Sequence, residues 1–217
     1  QWDTYLLETG FIAILMSFWT VPGIWLLRWL LFRFMFMSGV VKLASGDPNW
    51  WSLRALSYHF LTQPLPTPLA WYAARLPAAA LAFGTAATFV IELVLPFLIF
   101  CPRRLRAVAA AGILLLQSCL LLTGNYNWLN LQTMLLCLPL FDDAALRCML
   151  PHGLARRLPA RATGSGPGRG TRTVVGVLAA LAVFSSLVQM DERFAGTPPM
   201  VLQYVDRLIE PSRIASG

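Results

Sequence analysis

The stretch RWLLFRFMFMSGVVKL, residues 28–43, is almost entirely apolar, yet it carries Arg28, Arg33 and Lys42. About 20 apolar residues in a helix are enough to cross the hydrocarbon of a bilayer. An ionisable side chain inside that hydrocarbon costs about 3 kcal/mol on insertion scales, so it reaches the membrane surface or faces a partner within the protein. The stretch therefore predicts a transmembrane helix, and its three cations predict a bundle in which neighbouring helices supply acids.

The composition of the chain extends this prediction to its whole length. Of the 217 residues, 57% are hydrophobic and only 12% are charged, a balance that is typical of membrane-spanning bundles. We predict an all-α, polytopic bundle with about six transmembrane helices. They lie at about residues 4–19, 24–43, 78–100, 106–123, 128–141 and 173–190. The fifth stretch is short, and a tilted, re-entrant or partly buried segment would also explain it.

The basic residues predict how the bundle is oriented. Two connectors, CPRRLR at 101–106 and the Gly-, Pro- and Arg-rich segment 144–172, contain nine of the 17 Lys and Arg residues. Six alternating spans place both connectors on one side, which the positive-inside rule makes cytoplasmic. The net charge of +7 is therefore attributed to topology, and no nucleic-acid partner is predicted.

This orientation divides the chain into four parts. They are the transmembrane bundle at 1–143 with an exoplasmic loop at 44–77, a basic flexible cytoplasmic linker at 144–172, the last transmembrane helix at 173–190 and an exoplasmic tail at 191–217. The chain begins with Gln1 and its last residues are PSRIASG. We predict a fragment of a longer protein, in which the tail leads into a missing C-terminal soluble domain.

The ionisable residues inside the predicted spans are expected to pair across helices. At 1.5 Å per residue, Arg33 lies about 13 Å from the cytoplasmic end of the second span, and Glu92 lies about 12 Å from the same end of the third. The matching depths predict an Arg33–Glu92 pair. Lys42 lies near the exoplasmic end, where Asp3 and Glu8 of the first span are the available acids. Such pairs either fix the register of the helices or form a polar functional site, and both interpretations stay open.

The stretch YHFLTQPLPTP, residues 58–68, contains the polar and proline positions of the predicted exoplasmic loop. Prolines at alternate positions, including Pro64 and Pro66, favour extended backbone. Trp and Tyr residues flank the stretch, which suits an interfacial lid over the bundle. His59, Thr62 and Gln63 are its polar side chains. His59 is either an acid–base group or a hydrogen-bonded structural residue.

The stretch TGNYNWLNLQ, residues 123–132, predicts a tight polar turn that contains Asn125, Asn127 and Asn130. Asn suits such turns because it tolerates left-handed backbone and bonds its own main chain. The spacing of Cys and His predicts neither a metal site nor a disulfide framework. No phosphate-binding loop, HExxH motif or Ser–His–Asp arrangement appears. We therefore predict no metal, no cofactor and no catalytic residue from these motifs.

Six blocks of sequence, in order along residues 1–143, carry a family resemblance. They are QWDTYLLETGF (1–11), RWLLFRFMFMSGVVKL (28–43), YHFLTQPLPTPLAWY (58–72), IELVLPFLIF (91–100), LTGNYNWLNLQTM (122–134) and LPLFDD (138–143). Together they closely resemble the membrane region of the lipase maturation factor family. Members of that family in animals are multi-pass proteins of the endoplasmic reticulum, and they help secreted lipases to fold and assemble.

The resemblance implies a chaperone-like maturation role without catalysis or a cofactor. Its implied partners are a secreted lipase client and the lipid bilayer. The implied location is the membrane of the endoplasmic reticulum, or the inner membrane for a bacterial chain. His59, Thr62, Gln63, Pro64 and Pro66 would then belong to a client-facing surface that the loop forms together with the missing soluble domain.

A second, shorter resemblance points to an enzyme. The segment SGVVKL, followed by Asp47 and Trp50, is similar to a segment of vitamin-K-dependent gamma-carboxylases and their bacterial relatives. This resemblance implies that Lys42 acts as a base, a role that burial favours by disfavouring the charged form of a lysine. An enzyme of this class is the alternative function, and a transporter with paired charges is the third.

Overall fold

The computed structural model describes residues 2–124, 126, 128–149 and 167–195. All regular secondary structure in these ranges is helical, which confirms the all-α prediction. Asn125 and Asn127, most of the predicted linker and the tail from residue 196 lie outside the described residues.

Ten α-helices follow one another along the described ranges. They are α1 (Trp2–Phe18), α2 (Thr20–Ala44), α3 (Pro48–Trp51), α4 (Ala55–Thr62), α5 (Pro68–Ala73), α6 (Ala78–Phe89), α7 (Arg103–Thr123), α8 (Trp128–Leu135), α9 (Asp143–Met149) and α10 (Arg169–Ala195). After α6 the same helical rod continues as a π-helical turn at Val90–Val94 and a 3-10 segment at Leu95–Phe100. A second 3-10 segment, Leu138–Leu140, follows α8.

Four helical stretches of the described chain are long and apolar enough to cross a membrane. They are Thr20–Ala44, Ala78–Phe100, Arg103–Thr123 and Arg169–Met190. They confirm a polytopic membrane bundle. The first predicted span is the 17-residue helix α1, and the fifth is a shorter apolar stretch, Trp128–Leu140. The count of six spans stays a prediction.

Helices α1 and α2 form an antiparallel hairpin. Trp19 between them has extended backbone, with φ −151°, so the chain reverses there. The ring of Tyr5 stacks on that of Phe34 with centroids 4.3 Å apart. Nearer the turn, Gly23 lies directly against Met16, where a Cβ on the glycine would collide with the Met16 side chain. The hairpin thus sets which residues of the two helices lie at the same depth.

The third span packs on α2 mainly through aromatic rings. Trp25 stacks on Phe100 with centroids 6.3 Å apart, and Phe32 contacts Phe97 edge to face at 5.3 Å. At the other end of α2, Gly39 allows close approach, because a Cβ there would lie 3.1 Å from the Cβ of Glu92. Glu92 therefore lies at the level of Gly39.

The third span is irregular because of Pro96. Proline has no N–H to donate to the carbonyl four residues earlier, which here is that of Glu92. The helix widens into the π-helical turn before the proline and tightens into the 3-10 segment at Leu95–Phe100. Single π-helical turns within α-helices occur frequently at functional sites, and Glu92 lies within this one.

The ends of the bundle carry different connectors. At one end, Arg103 Nε lies 2.9 Å from Asp142 Oδ2, and the guanidinium of Arg172 lies 6.0 Å from the ring centre of Trp19. The basic connector at 101–106 and the described ends of the segment 144–172 therefore lie at the same end of the bundle. At the other end, Gln63 Nε2 donates to the carbonyl of Thr123 at 2.8 Å.

The chain divides into two compact units, Gln1–Val175 and Gly176–Gly217. In the second unit the structure describes the helical part of α10 from Gly176 to Ala195. The side chains of Val177, Leu181 and Phe184 are exposed on it, as is usual for a helix that faces lipid.

Candidate functional site

Two ion pairs lie between helices of the bundle. Arg33 Nη2 pairs with Glu8 Oε2, and Lys42 Nζ donates to both carboxylate oxygens of Glu92 at 2.7 Å each. The predicted Arg33–Glu92 pair is therefore wrong, and so is the expected pairing of Lys42 with the acids of the first span. Asp3 is exposed in the first turn of α1 and belongs to neither pair.

Two features contribute to the pairing of Glu92 with Lys42 instead of the predicted Arg33. They are the direction of helical side chains and the geometry of the third span. Helical side chains point towards the N-terminus, and Lys42 Nζ lies 3.2 Å from the carbonyl of Ser38, one turn earlier. The 3-10 segment rises about 2.0 Å per residue rather than 1.5 Å, which carries Glu92 farther from Phe100 than an α-helix would. Both effects shorten the distance between the two groups, and the close packing of Gly39 against Glu92 sets the level at which they meet.

The pairing of Arg33 with Glu8 follows from the hairpin. Glu8 precedes Trp19 by 11 residues and Arg33 follows it by 14, so the two side chains lie at similar distances from the turn. This signal was present in the sequence. Counting from the shared turn, rather than from the predicted membrane surfaces, would have identified the pair.

Three acceptors and an aromatic ring surround the amine of Lys42. Its three N–H donors are matched by the Ser38 carbonyl and the two oxygens of Glu92. The ring of Trp50 lies 5.5 Å from Nζ in a cation–π arrangement. Glu92 is only 5% exposed. All three donors of Lys42 therefore have acceptors, and its partner Glu92 is buried within the ion pair.

Polar side chains near the other pair connect α8 to the hairpin. Gln132 Nε2 donates to the Tyr5 carbonyl at 3.1 Å and to the Thr9 hydroxyl at 2.7 Å. Gln132 and Tyr5 are both buried. In the described part of the chain, Gln132 Oε1 and the Tyr5 hydroxyl are buried without a hydrogen-bond partner. The two hydrogen bonds of Gln132 Nε2 stabilise the packing of α8 on α1.

Asn130 does not lie in the turn for which it was predicted. It lies within α8 and is only 2% exposed. Its Nδ2 donates to the carbonyl of Gln117 on α7 at 3.3 Å, and Gln117 Nε2 lies 3.8 Å from Met35 Sδ on α2. The helix begins at Trp128, so its first turn includes Asn130, and the amide connects neighbouring helices instead of bonding a local turn.

The predicted loop at 44–77 contains the short helices α3, α4 and α5, and it divides into attached and exposed positions. Gln63 is buried and bonds the end of α7, and the Thr67 hydroxyl donates to the Leu122 carbonyl. Thr62 bonds within its own helix, to the Tyr58 carbonyl. Pro64 and Pro66 are exposed. Gln63 and Thr67 thus attach the loop to the end of α7, while Pro64 and Pro66 face outwards.

His59 lies on α4 in electrostatic range of Lys42. Burial lowers the pKa of His59, and the positive charge of Lys42 lowers it further, so the imidazole is neutral at pH 7. Its Nε2 is buried and has no hydrogen-bond partner in the described part of the protein. The structure therefore brings Lys42, Glu92, Trp50 and His59 to one end of the bundle.

Metal binding has no support from the described side chains. Among them there is no group of three or more His, Cys, Asp or Glu residues that could hold a metal ion. The four cysteines, Cys101, Cys119, Cys137 and Cys148, are free thiols.

Comparison with known proteins places the bundle in a sequence family. Residues 1–148 match the family model described as Lipase maturation factor transmembrane domain. Lipase maturation factor 2 of Xenopus laevis is 48% identical over 166 residues, which cover 70% of this chain and 24% of the relative. For lipase maturation factor 2 of Homo sapiens the identity is 45% over 178 residues, with 72% and 25% covered.

A second type of relative is more distant. Lipase maturation factor 1 of Mus musculus is 37% identical over 164 residues, which cover 70% of this chain and 28% of that protein. The chain thus spans about a quarter of the length of the curated relatives that it matches. No solved structure matches the chain at a significant level.

Proposed function

Because the chain belongs to the lipase maturation factor family, we propose that it forms the membrane-embedded part of a factor that assists the maturation of secreted lipases. It acts through contact with the client and without chemical turnover. For a eukaryotic chain the proposed location is the membrane of the endoplasmic reticulum, and for a bacterial chain the inner membrane.

The observation that carries the proposal is an apolar surface on the loop between α2 and α6. We define the loop surface by exposed side chains of the three short helices, namely Trp51, Tyr58, Leu61, Trp71 and Tyr72. The rings of Trp71 and Tyr72 contact each other with centroids 4.9 Å apart, and exposed apolar groups of this kind mark sites of protein or membrane interaction. A chaperone-like factor needs such a surface to hold an incompletely folded client.

The loop is held firmly enough to present this surface. The backbone N–H of Leu56 lies 3.4 Å from the Thr85 hydroxyl of α6, and Trp50 contacts Phe89 edge to face at 5.6 Å. Gln63 attaches the next segment to α7. The Lys42–Glu92 pair lies beneath Trp50 and stabilises the base of the loop. In this proposal Lys42 is a structural residue.

A specific arrangement supports the enzymatic alternative. Lys42 is half-buried beside a π-helical turn, and His59 in its electrostatic range has an unpartnered nitrogen. The amine of Lys42, however, already contacts the Ser38 carbonyl and both oxygens of Glu92, so its hydrogen-bonding positions are occupied within the protein. This geometry favours a structural role for Lys42 over catalysis.

The two functions are distinguished by secretion of an active lipase from cells that lack the endogenous factor. Full-length factor carrying Leu61→Ala and Tyr72→Ala is expected to lower secreted lipase activity several-fold at unchanged factor level. Phe83→Ala is the matched control, since Phe83 is 76% exposed on α6 and lies outside the loop. Lys42→Ala is expected to lower secretion only in proportion to any loss of factor. Complete loss of secretion at an unchanged level of the Lys42→Ala factor would instead support the enzyme.

A further inference from the structure

At the arginine-bearing end of the bundle, main-chain carbonyls orient two guanidinium groups, Arg28 and Arg106, that have no acidic partner among the described residues. Arg28 donates through Nε at 3.0 Å and through Nη2 at 2.8 Å to the carbonyl of Pro139. Arg106 donates through Nε to the next carbonyl, that of Leu140, at 2.6 Å. Two cations thus converge on consecutive carbonyls and repel each other. A carbonyl orients a guanidinium but does not cancel its charge.

The neighbouring residues add positive charge. Arg103 and Arg104 are exposed in the first turn of α7, where the helix dipole favours anions. Arg103 pairs with Asp142. Arg104 has no hydrogen-bond or ion-pair partner in the part of the chain that the structure describes. We define the arginine cluster as Arg28, Arg103, Arg104 and Arg106. The acids nearest in sequence to its contacts are Asp142 and Asp143, so the cations are in excess.

Aromatic residues place the arginine cluster at the level of a membrane surface. Trp25 is exposed and stacks on Phe100, and the guanidinium of Arg28 lies 5.3 Å from the centre of the Trp25 ring. Exposed Trp side chains near the ends of transmembrane helices are typical of the interfacial region. The lipid phosphates occupy that same region.

We propose that the arginine cluster binds the phosphate of an anionic phospholipid from the leaflet at this end of the bundle. A guanidinium has five N–H donors. Arg28 uses two of its nitrogens on Pro139, and Arg106 uses one on Leu140, so donors remain for phosphate oxygens. Arg104, in the same first turn of α7, adds positive charge beside them. The site is separate from the loop surface and from the proposed action on lipases.

Binding of phosphatidylglycerol to the purified full chain in detergent tests the proposal. The reference is phosphatidylcholine, which has no net charge because a choline cation balances its phosphate. We expect phosphatidylglycerol to raise the thermal midpoint in a saturable way and phosphatidylcholine to have little effect. Arg104→Gln is expected to weaken the apparent affinity about fivefold, as expected for one basic residue near an anionic surface. Because Arg104 is exposed and unpaired, its replacement leaves the fold intact.

Arg54→Gln is the matched control, because Arg54 is exposed in the loop at the opposite end and its replacement removes the same charge. It is expected to bind phosphatidylglycerol like the unaltered chain. Equal weakening by the two substitutions, or equal binding of the two lipids, would overturn the proposal. So would displacement of phosphatidylglycerol by inorganic phosphate at millimolar concentration, which would show a site for free anions instead of lipid.

Discussion

The Lys42 end and the arginine end of the bundle both hold cations, but the cations have different partners at the two ends. Lys42 gives all its donors to Ser38 and to the buried carboxylate of Glu92. Arg28 gives its donors to a neutral carbonyl and keeps its charge. The difference shows two ways of satisfying a cation in this bundle: an acid from a neighbouring helix at Lys42, and a main-chain carbonyl that orients the group at Arg28.

The largest expected effect comes from removing the acid that pairs with Lys42. Glu92→Leu leaves the ammonium of Lys42 partly buried without a counter-charge, which costs about 3–5 kcal/mol for a buried pair. We expect a large fall in the free energy of unfolding, measured by thermal or denaturant unfolding in detergent. The double variant Lys42→Met with Glu92→Leu should regain most of the loss, because it buries no charge. A double variant as unstable as Glu92→Leu alone would contradict the account.

The second prediction concerns the arginine end. Arg28→Gln removes both hydrogen bonds to the Pro139 carbonyl and should cost about 2 kcal/mol, as expected for bonds from a charged donor. Unfolding of the purified chain measures it. Arg104→Gln is the control, and it should change the free energy of unfolding by less than about 0.5 kcal/mol, as is usual for an exposed side chain without partners. Similar losses for both would mean that the carbonyl contacts contribute little.

The third prediction concerns the close packing of Gly39 against Glu92, because a larger residue at position 39 would move Glu92 relative to Lys42. A Cβ at Gly39 would lie 2.6 Å from Leu93 Cδ2 and 3.1 Å from Glu92 Cβ. Gly39→Ala should therefore destabilise the bundle by about 1–2 kcal/mol through overpacking. Gly10 on α1 has nothing within 4 Å of the same added atom, so Gly10→Ala should be neutral or stabilising. The difference in thermal midpoint between the two variants is the measurement.

The smallest expected effect is a pH dependence at His59. Because burial and then Lys42 lower its pKa, the unfolded chain binds a proton at this residue before the folded chain does. Stability is therefore fully present above the unfolded pKa of about 6.5 and is lost as the pH falls below it. We expect the thermal midpoint to fall less between pH 7.5 and 5.5 in His59→Gln than in the unaltered chain. If the thermal midpoint of His59→Gln falls as much as that of the unaltered chain, His59 does not contribute to the pH dependence of stability.

Much of this architecture could be predicted from sequence because hydropathy and basic residues report directly on the membrane. The run from Arg28 to Lys42 lies in α2, which is long and apolar enough to cross a membrane, as predicted. The partner of Arg33 could not be obtained from depth alone, because a depth read from Cα positions ignores the direction of side chains. It also ignores the change of rise caused by Pro96 in the third span.

Other parts of the site depend on contacts far apart in the chain. Gln132 bonds α1 across 123 residues to Thr9, and Asn130 bonds α7. No local pattern distinguishes such amides from the turn-forming Asn residues beside them. The position of Trp50 over Lys42 likewise depends on how α3 folds back after α2, which the short stretch between them does not specify.

The shortness of the segment Trp128–Leu140 has a consequence for the surrounding lipid. At 1.5 Å per residue, it covers about 20 Å, well short of the roughly 30 Å of bilayer hydrocarbon. Leu131, Leu135 and Leu138 are exposed along it, so they form an apolar band shorter than the hydrocarbon layer. A bilayer accommodates so short a band by becoming thinner around it.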